Sequence, residues 1–200
     1  MRGIVTRVGG PSRRALFAFV PLIGGALAWS AMSGRVSPGA ALAEVAGGMI
    51  LWTLLEYVFH RFLFHIVPSS AWLRERQQHL LHHETPDEPA YYVVPLWISL
   101  PLAGAVWIGL RALLGSWADA ALATSGVIIG YVAYELVHYR VHSDRAGNRL
   151  VRFWRRHHFY HHYADDERCY GFTTPVWDYV FGTGPVRGAV RRSRPIEKIG

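Results

Sequence analysis

The chain has 200 residues, is 51% hydrophobic and only 18% charged, and carries 21 Lys and Arg against 14 Asp and Glu, for a net charge of +7. Its hydrophobicity excludes an intrinsically disordered protein, and its single cysteine excludes a disulfide-stapled scaffold. Because soluble domains average about 25% charged residues, the composition favours a membrane protein, one with an unusual total of 11 histidines.

Four segments are long and apolar enough to cross a bilayer, whose hydrocarbon core of about 30 Å needs about 20 helical residues. They are Ala15 to Gly34, Val36 to Phe59, Pro89 to Leu110 and Ala120 to Tyr139. The only charged residues within them are Glu44, Glu56 and Glu135. The first segment is longer than the apolar core of a signal peptide, so we expect it to remain as a span. The sequence predicts an all-α integral membrane protein.

The arginines predict how these helices are oriented, because positively charged loops stay in the cytoplasm. Arginines precede the first segment and follow the second and fourth, whereas only Arg35 and Arg111 fall on the other side. Both termini and the central loop are therefore expected in the cytoplasm. Twenty Arg against one Lys are typical of a GC-rich bacterial genome, so the expected location is a bacterial inner membrane.

We expect residues 1–200 to form one membrane-embedded domain, with a basic N-terminal segment at 1–14 and a basic tail at 185–200. The tail residues predicted to attract anionic lipid head groups are Arg187, Arg191, Arg192, Arg194 and Lys198. Nucleic-acid binding is not expected, because no soluble domain presents this charge.

All 11 histidines lie in four short windows with metal-ligand spacing. Three windows place imidazoles at i, i+3 or i+4, on one face of a helical turn. His60 and His65 are five apart and would point about 140° away from each other on a continuous α-helix, so we expect the second helix to end or bend between them. The windows are His60 and His65; His79, His82 and His83; His138 and His142; and His157, His158, His161 and His162.

The topology predicts that the four windows converge, since two crossings separate the second window from the third and return the chain to the same side. Ten imidazoles are too many for one ion but suit two ions with about five ligands each. Neutral nitrogen ligands fit iron, zinc, copper or nickel. A site at a lipid boundary favours oxidation of an apolar substrate; because zinc has no redox chemistry, we predict a di-iron centre with O2 as co-substrate.

Two other kinds of protein are also rich in histidine. A metalloprotease would carry H-E-x-x-H, but His83-Glu84 is followed by Thr85-Pro86-Asp87. A membrane metal-binding or transport protein without oxidative chemistry stays open as the alternative outside the enzyme class, although its ligands would be expected in mid-membrane.

The histidine windows, read with their flanking residues, resemble the histidine boxes of the fatty acid hydroxylase / sterol desaturase superfamily. The similarity covers about Val45 to Gly184 and is greatest to the fatty acid 2-hydroxylase branch. It is carried by His60-Arg61-Phe62-Leu63-Phe64-His65, His79-Leu80-Leu81-His82-His83-Glu84-Thr85-Pro86-Asp87, His138-Tyr139-Arg140-Val141-His142, His158-Phe159-Tyr160-His161-His162, Gly171-Phe172-Thr173-Thr174-Pro175, Trp177-Asp178-Tyr179 and Phe181-Gly182-Thr183.

The resemblance implies an O2-dependent monooxygenase with two iron ions beneath a small cytosolic helical cap, adding one oxygen atom to an acyl chain at the 2-position. A lipid desaturase or a sterol or carotenoid hydroxylase would share the same metal site and stays open as an alternative. Zinc would be an expected substitute in purified protein. The implied ligands are His60, His65, His79, His82, His83, His138, His142, His158, His161 and His162.

The eukaryotic 2-hydroxylases carry a fused haem domain with a His-Pro-Gly-Gly motif. No histidine in this sequence is followed by Pro-Gly-Gly. An external electron donor protein is therefore expected as a partner, beside the membrane lipid or fatty acyl substrate.

Four residues are expected to support the metal ligands without binding metal themselves. Glu56 and Glu135 lie one helical turn before His60 and His138, where a carboxylate accepts the other N–H of a ligating imidazole. Glu135-x-x-His138 would instead make Glu135 a direct ligand if the site followed the soluble di-iron bundles. Asp178 is expected to act like the two glutamates or to cap a turn, and His157 lies just outside the fourth box.

Overall fold

The structure is a computed structural model that describes residues 13–34, 36–65, 74–144 and 147–186. The described chain is helical, and its elements follow one another in a simple order. A 3-10 turn (Arg13–Ala18) leads into α1 (Phe19–Ser33), which is followed by α2 (Pro38–Val58), a π-helix (Phe59–Phe64), α3 (Arg74–Glu84), a 3-10 turn (Pro89–Tyr91), α4 (Leu96–Leu114), α5 (Trp117–Ser143), α6 (Arg149–Tyr163) and α7 (Val176–Val180). Residues 1–12 of the basic N-terminal segment and residues 187–200 of the basic tail lie outside the described residues.

Four helical segments are long and apolar enough to span a membrane, as the sequence predicted. They are Arg14–Ser33, Pro38–Phe64, Pro89–Leu114 and Trp117–Ser143. Large apolar side chains on the outside of these helices face outward: Met32, Leu42 and Leu113 are 82%, 71% and 82% exposed. Such exposure is costly in water and normal against lipid, so the protein is an integral membrane protein.

Local sequence explains where the spans begin and end. Ser37 caps α2 by accepting a hydrogen bond from the backbone N–H of Ala40, and Pro38 occupies the first helical position, where its missing N–H costs nothing. The turn between α4 and α5 uses Gly115 in a left-handed conformation (φ 72°), followed by Ser116, which caps α5.

The last span, α5, is the central helix, and α1, α2 and α4 pack around it. Its contact with α2 is unusually close because both helices use glycine at the crossing. A β-carbon at Gly48 would collide with the carbonyl oxygen of Ala123, and one at Gly126 would collide with the carbonyl oxygen of Val45. Gly126 and Gly130 form a G-x-x-x-G motif, which allows close helix packing in membranes.

Aromatic side chains fill the remainder of this interface. The ring of Tyr131 on α5 meets Phe19 of α1 and Trp52 of α2 edge to face, with both centroid distances at 5.4 Å. A β-carbon at Gly130 would lie 2.6 Å from Cγ of Trp52, so glycine leaves the space that the indole occupies. This packing fixes the end of α2, which leads into the segment with His60, relative to the end of α5, which carries His138 and His142.

Candidate metal centre

The second span changes its helical form where its histidines begin. The α-helix ends at Val58 and continues as a π-helix to Phe64, and His65 follows directly. A π-helix closes each turn over five residues, so His60 and His65 come onto the same side, with ring centroids 5.1 Å apart. The helix therefore ends between the two histidines, as predicted, and the wider turn is what brings their rings together.

The remaining histidines come from three helices at the same end of the bundle. The last two turns of α5 carry His138 and His142, and α3 and α6 carry the H-x-x-H-H boxes. Asn148 starts α6 by accepting hydrogen bonds from the backbone N–H groups of Leu150 and Val151. The predicted convergence of the four windows is confirmed.

Five histidines form the first group, in which one ring nitrogen of each lies within 4.8 Å of those of the others. Nε2 of His79 is 3.1 Å from Nε2 of His60, 3.0 Å from that of His65 and 3.2 Å from that of His83. Nε2 of His161 is 3.1 Å from Nε2 of His65 and completes the group. Five ring nitrogens this close together could hold a metal ion.

The other five histidines form a second group with the same spacing. Nε2 of His158 is 3.1 Å from Nε2 of His138, and 2.9 Å from those of His142 and His162. His82 is the fifth member, and its ring centroid lies 4.5 Å from that of His142. The ten histidines therefore divide into two sets of five, the number expected for two ions.

The two groups adjoin each other through α3. His82 belongs to the second group, and its neighbour in the chain, His83, belongs to the first. The ring of His83 stacks on that of His162, across the boundary between the groups, with centroids 4.3 Å apart.

Burial lowers the pKa of the grouped imidazoles on α3 and α6 and so favours their neutral form. The pKa of the His83 ring is lowered to about 3 by burial and by the neighbouring histidines. The same causes, in the same order, lower the pKa well below its ordinary value for His79, His82, His158, His161 and His162. A neutral imidazole offers a lone pair to a metal ion, so the electrostatics of the site favour metal binding.

In three of the ten grouped histidines, a backbone carbonyl group accepts a hydrogen bond from the ring N–H at Nδ1. Nδ1 of His60 donates to the carbonyl oxygen of Tyr170 at 2.6 Å, and Nδ1 of His161 donates to that of Arg168 at 2.7 Å. In the second group, Nδ1 of His138 donates to the carbonyl oxygen of Tyr92 at 2.9 Å. These bonds leave Nε2 of each ring without a proton and directed at the group. A backbone acceptor has no signature in the sequence, so none could be predicted.

The glutamates do not make the contacts predicted for them. The carboxylate of Glu56 accepts hydrogen bonds from the backbone N–H groups of Phe172 and Thr173 and from the Thr173 hydroxyl, not from His60. Oε1 of Glu135 accepts from the backbone N–H of Val94 at 2.9 Å. The expectation that each carboxylate binds an imidazole directly is wrong, because loop carbonyls occupy Nδ1 first. Glu135 also lies outside both histidine groups, which argues against the alternative that it is a direct metal ligand.

Asp178 and His157 bind each other beside the first group. Nε2 of His157 is 3.0 Å from Oδ2 of Asp178, so this histidine points away from both groups. Asp178 is completely buried and also accepts hydrogen bonds from the backbone N–H groups of Tyr170 and Gly171 and from the hydroxyl of Thr183.

An apolar cavity leads from the membrane-spanning bundle to the histidines. This partly open cavity is lined by α1, α2, α4 and α5 and has His60 in its wall. A second, smaller cavity touches His79, His82 and His138 and therefore reaches both groups. Phe64, Val94 and Tyr134 line both cavities and separate them.

Four membrane-spanning helices with two five-histidine groups at one end define an integral membrane protein whose histidine groups could bind metal ions. Residues 45–183 match the family model described as fatty acid hydroxylase. The chain belongs to the fatty acid hydroxylase family and is a membrane-bound oxidoreductase of that family.

Curated relatives and a solved structure agree with this assignment. A dihydroceramide fatty acyl 2-hydroxylase of Arabidopsis thaliana is 34% identical over 178 residues, which cover 88% of this chain and 74% of the relative. The fatty acid 2-hydroxylase of Rattus norvegicus is 34% identical over 142 residues, or 68% of this chain and 38% of the rat protein. The structure of full-length scs7p, in which only the hydroxylase domain is visible, superimposes with a TM-score of 0.79 at 25% identity and covers 95% of this chain and 73% of that one.

Proposed function

We propose that the protein is an O2-dependent lipid hydroxylase that inserts one oxygen atom at the 2-position of an acyl chain. The observation that carries the proposal is the pair of five-histidine groups at the inner end of an apolar cavity. Relatives named as fatty acid and dihydroceramide fatty acyl 2-hydroxylases support the choice of substrate class and position.

The ten grouped histidines are the proposed metal ligands, and iron is the proposed metal. The donor set fits such a pair of ions, because five neutral imidazole nitrogens converge in each group. Two iron ions would supply the reduction of O2 that the attack on an unactivated C–H bond requires. The chain itself contributes the imidazole rings, and in His60, His138 and His161 a backbone carbonyl holds Nδ1 and leaves Nε2 without a proton.

The two cavities are the proposed path of the acyl chain. The larger cavity is lined by apolar side chains of the spans, among them Ala103 and Val106 of α4 and Val127 and Ile128 of α5. An acyl tail in this cavity would place the carbons near its carboxyl end beside Phe64 and Tyr134, next to the histidines. This placement favours attack close to the carboxyl group.

The wider setting of the reaction is also proposed. Each turnover of a monooxygenase consumes two electrons, so an external electron donor protein is needed. The distribution of arginines supports an orientation with the metal site on the cytoplasmic side. The excess of arginine over lysine supports a bacterial inner membrane. The chain is proposed to form one membrane domain whose basic tail binds anionic lipid head groups.

Lipid analysis of a bacterial host with and without the gene tests this function. We expect acyl chains that gain one oxygen atom, with fragmentation placing the hydroxyl group on carbon 2. The His161→Ala variant is the control for the effects of expressing a membrane protein. A loss of two hydrogens would instead identify a desaturase, and altered metal content without any lipid change would identify a metal-binding or transport protein.

A bulky residue deep in the larger cavity is expected to shorten the acyl chains that the enzyme accepts. Val127 lies 11 residues before His138 on α5, about 16 Å along the helix. In the Val127→Trp variant we expect long-chain products to fall about tenfold or more relative to short-chain ones, because lost apolar contacts weaken binding of the tail. Product profiles by mass spectrometry check this. An equal loss at every chain length would contradict the proposed path.

A further inference from the structure

The loop between α6 and α7 holds two imidazoles of the first histidine group at once. The carbonyl oxygen of Arg168 accepts from His161, and that of Tyr170 accepts from His60. Between them, Cys169 has a left-handed backbone (φ 58°), an uncommon conformation for a residue other than glycine. Strain of this kind persists only where the surroundings impose it.

We propose that Asp178 is a positioning residue of the first group, acting on His60 through the peptide bond that joins Tyr170 and Gly171. The carbonyl of this peptide accepts from Nδ1 of His60 at 2.6 Å, and its N–H donates to Oδ2 of Asp178 at 2.9 Å. The proposal rests on the metal-binding role of the histidines proposed above.

This arrangement is a carboxylate–imidazole pair with one peptide inserted between the partners. A carboxylate that binds a ligating histidine orients its ring and raises its basicity. Hydrogen bonds in a chain polarise one another, so a negative charge at the peptide N–H strengthens the carbonyl as an acceptor for His60. The inserted peptide requires glycine at 171, because a β-carbon there would lie 2.5 Å from the carbonyl oxygen of Thr174 and 3.0 Å from Oδ2 of Asp178.

Two buried carboxylates share the backbone of this loop. Asp178 binds the N–H groups of Tyr170 and Gly171, and Glu56 binds those of the next two residues. Burying a carboxylate is expensive unless charge or hydrogen bonds offset it. A cation held by five neutral imidazoles needs nearby negative charge, and Asp178 would place it one peptide away from His60.

The second group contains a related arrangement built from a different part of the chain. Glu135 is completely buried and binds the N–H of Val94, two residues after Tyr92, whose carbonyl holds His138. Glu56 likewise binds the N–H of Phe172, two residues after Tyr170. Two unrelated loops therefore combine a buried carboxylate with a carbonyl on a grouped histidine, which indicates a role in the metal site beyond local folding.

The test compares Asp178→Asn with Glu135→Gln in purified protein loaded with iron-57. We expect each substitution to lower the affinity for one iron about 10-fold or more and to change the Mössbauer signal of that iron alone. The affected iron is that of the first group in Asp178→Asn and that of the second group in Glu135→Gln. Asp119→Asn removes the same charge near the start of α5, far from His138, and is expected to leave both irons unchanged.

Each result decides a different question. If the wild type holds two irons and Asp178→Asn leaves both signals and affinities unchanged, the positioning role is wrong while the proposed function stands. Equal disturbance of both irons by Asp178→Asn would show a merely structural role and would also overturn it. If Asp178→Asn does not fold, His157→Gln perturbs the same carboxylate more gently and must shift the Mössbauer signal of the first-group iron alone while both irons stay bound. A wild type that binds no iron would contradict the proposed function itself.

Discussion

The His161→Ala variant is expected to lose metal from one histidine group and keep it in the other. His161 reaches the first group, where its Nε2 lies 3.1 Å from that of His65, whereas His82 belongs to the second. Removing a ligand is expected to lower the affinity for the affected ion by about 100-fold or more, since changes to supporting residues alone lower metal affinity by about 10 to 100-fold. Product formation is expected to cease in both His161→Ala and His82→Ala, because the chemistry needs both ions.

Metal analysis after dialysis against a chelator checks this result. Wild type is expected to retain two ions, and each variant one. The matched control is His157→Gln, expected to retain two, because His157 faces Asp178 and glutamine can still donate a hydrogen bond to it. Hydroxylation that survives in His161→Ala, or loss of both ions in His157→Gln, would contradict the proposed ligand set.

The Gly126→Leu variant is expected to destabilise the protein strongly. Its side chain would enter the α2 backbone at the carbonyl of Val45, which has no flexible end that can move away. Overpacking usually costs about 1–3 kcal/mol, and here two helices must separate, so we expect at least about 3 kcal/mol. His60, which follows α2, and His138, near the end of α5, would move apart as well.

Thermal unfolding in detergent and the yield of folded protein measure this effect. Gly109→Leu is the matched control, because Gly109 is exposed on α4 and a β-carbon there meets nothing within 4 Å. We expect the control to stay within about 0.5 kcal/mol of wild type. Equal stability of the two variants would show that the α2–α5 contact is looser than described.

The features that the sequence predicts well are those set by hydrophobicity and residue spacing. Four apolar runs predicted the four spans. The even number of crossings between the windows predicted that the windows of His60 and His138 would lie at the same end of the bundle. The five-residue interval between His60 and His65 predicted the end of the second helix. It could not reveal the π-helix, because the residues from Phe59 to Phe64 carry no marker that distinguishes it from an α-helix.

The supporting contacts could not be predicted, since they depend on which groups the loops bring within reach. Glu56 and Glu135 precede His60 and His138 by about one helical turn, but helix geometry alone cannot show that a loop backbone lies between them. The close contact at Gly126 did have a signal. Gly126-Val127-Ile128-Ile129-Gly130 is a G-x-x-x-G motif inside an apolar span, and its pattern indicates a helix-packing surface.

The division of His82 and His83 between the two groups has a consequence for the spacing of the site. The same stretch of α3 sets the separation between the two groups, since it contributes His79 and His83 to one group and His82 to the other. A substitution that changed the pitch of this helix would therefore alter the distance between the two groups without removing a histidine from either.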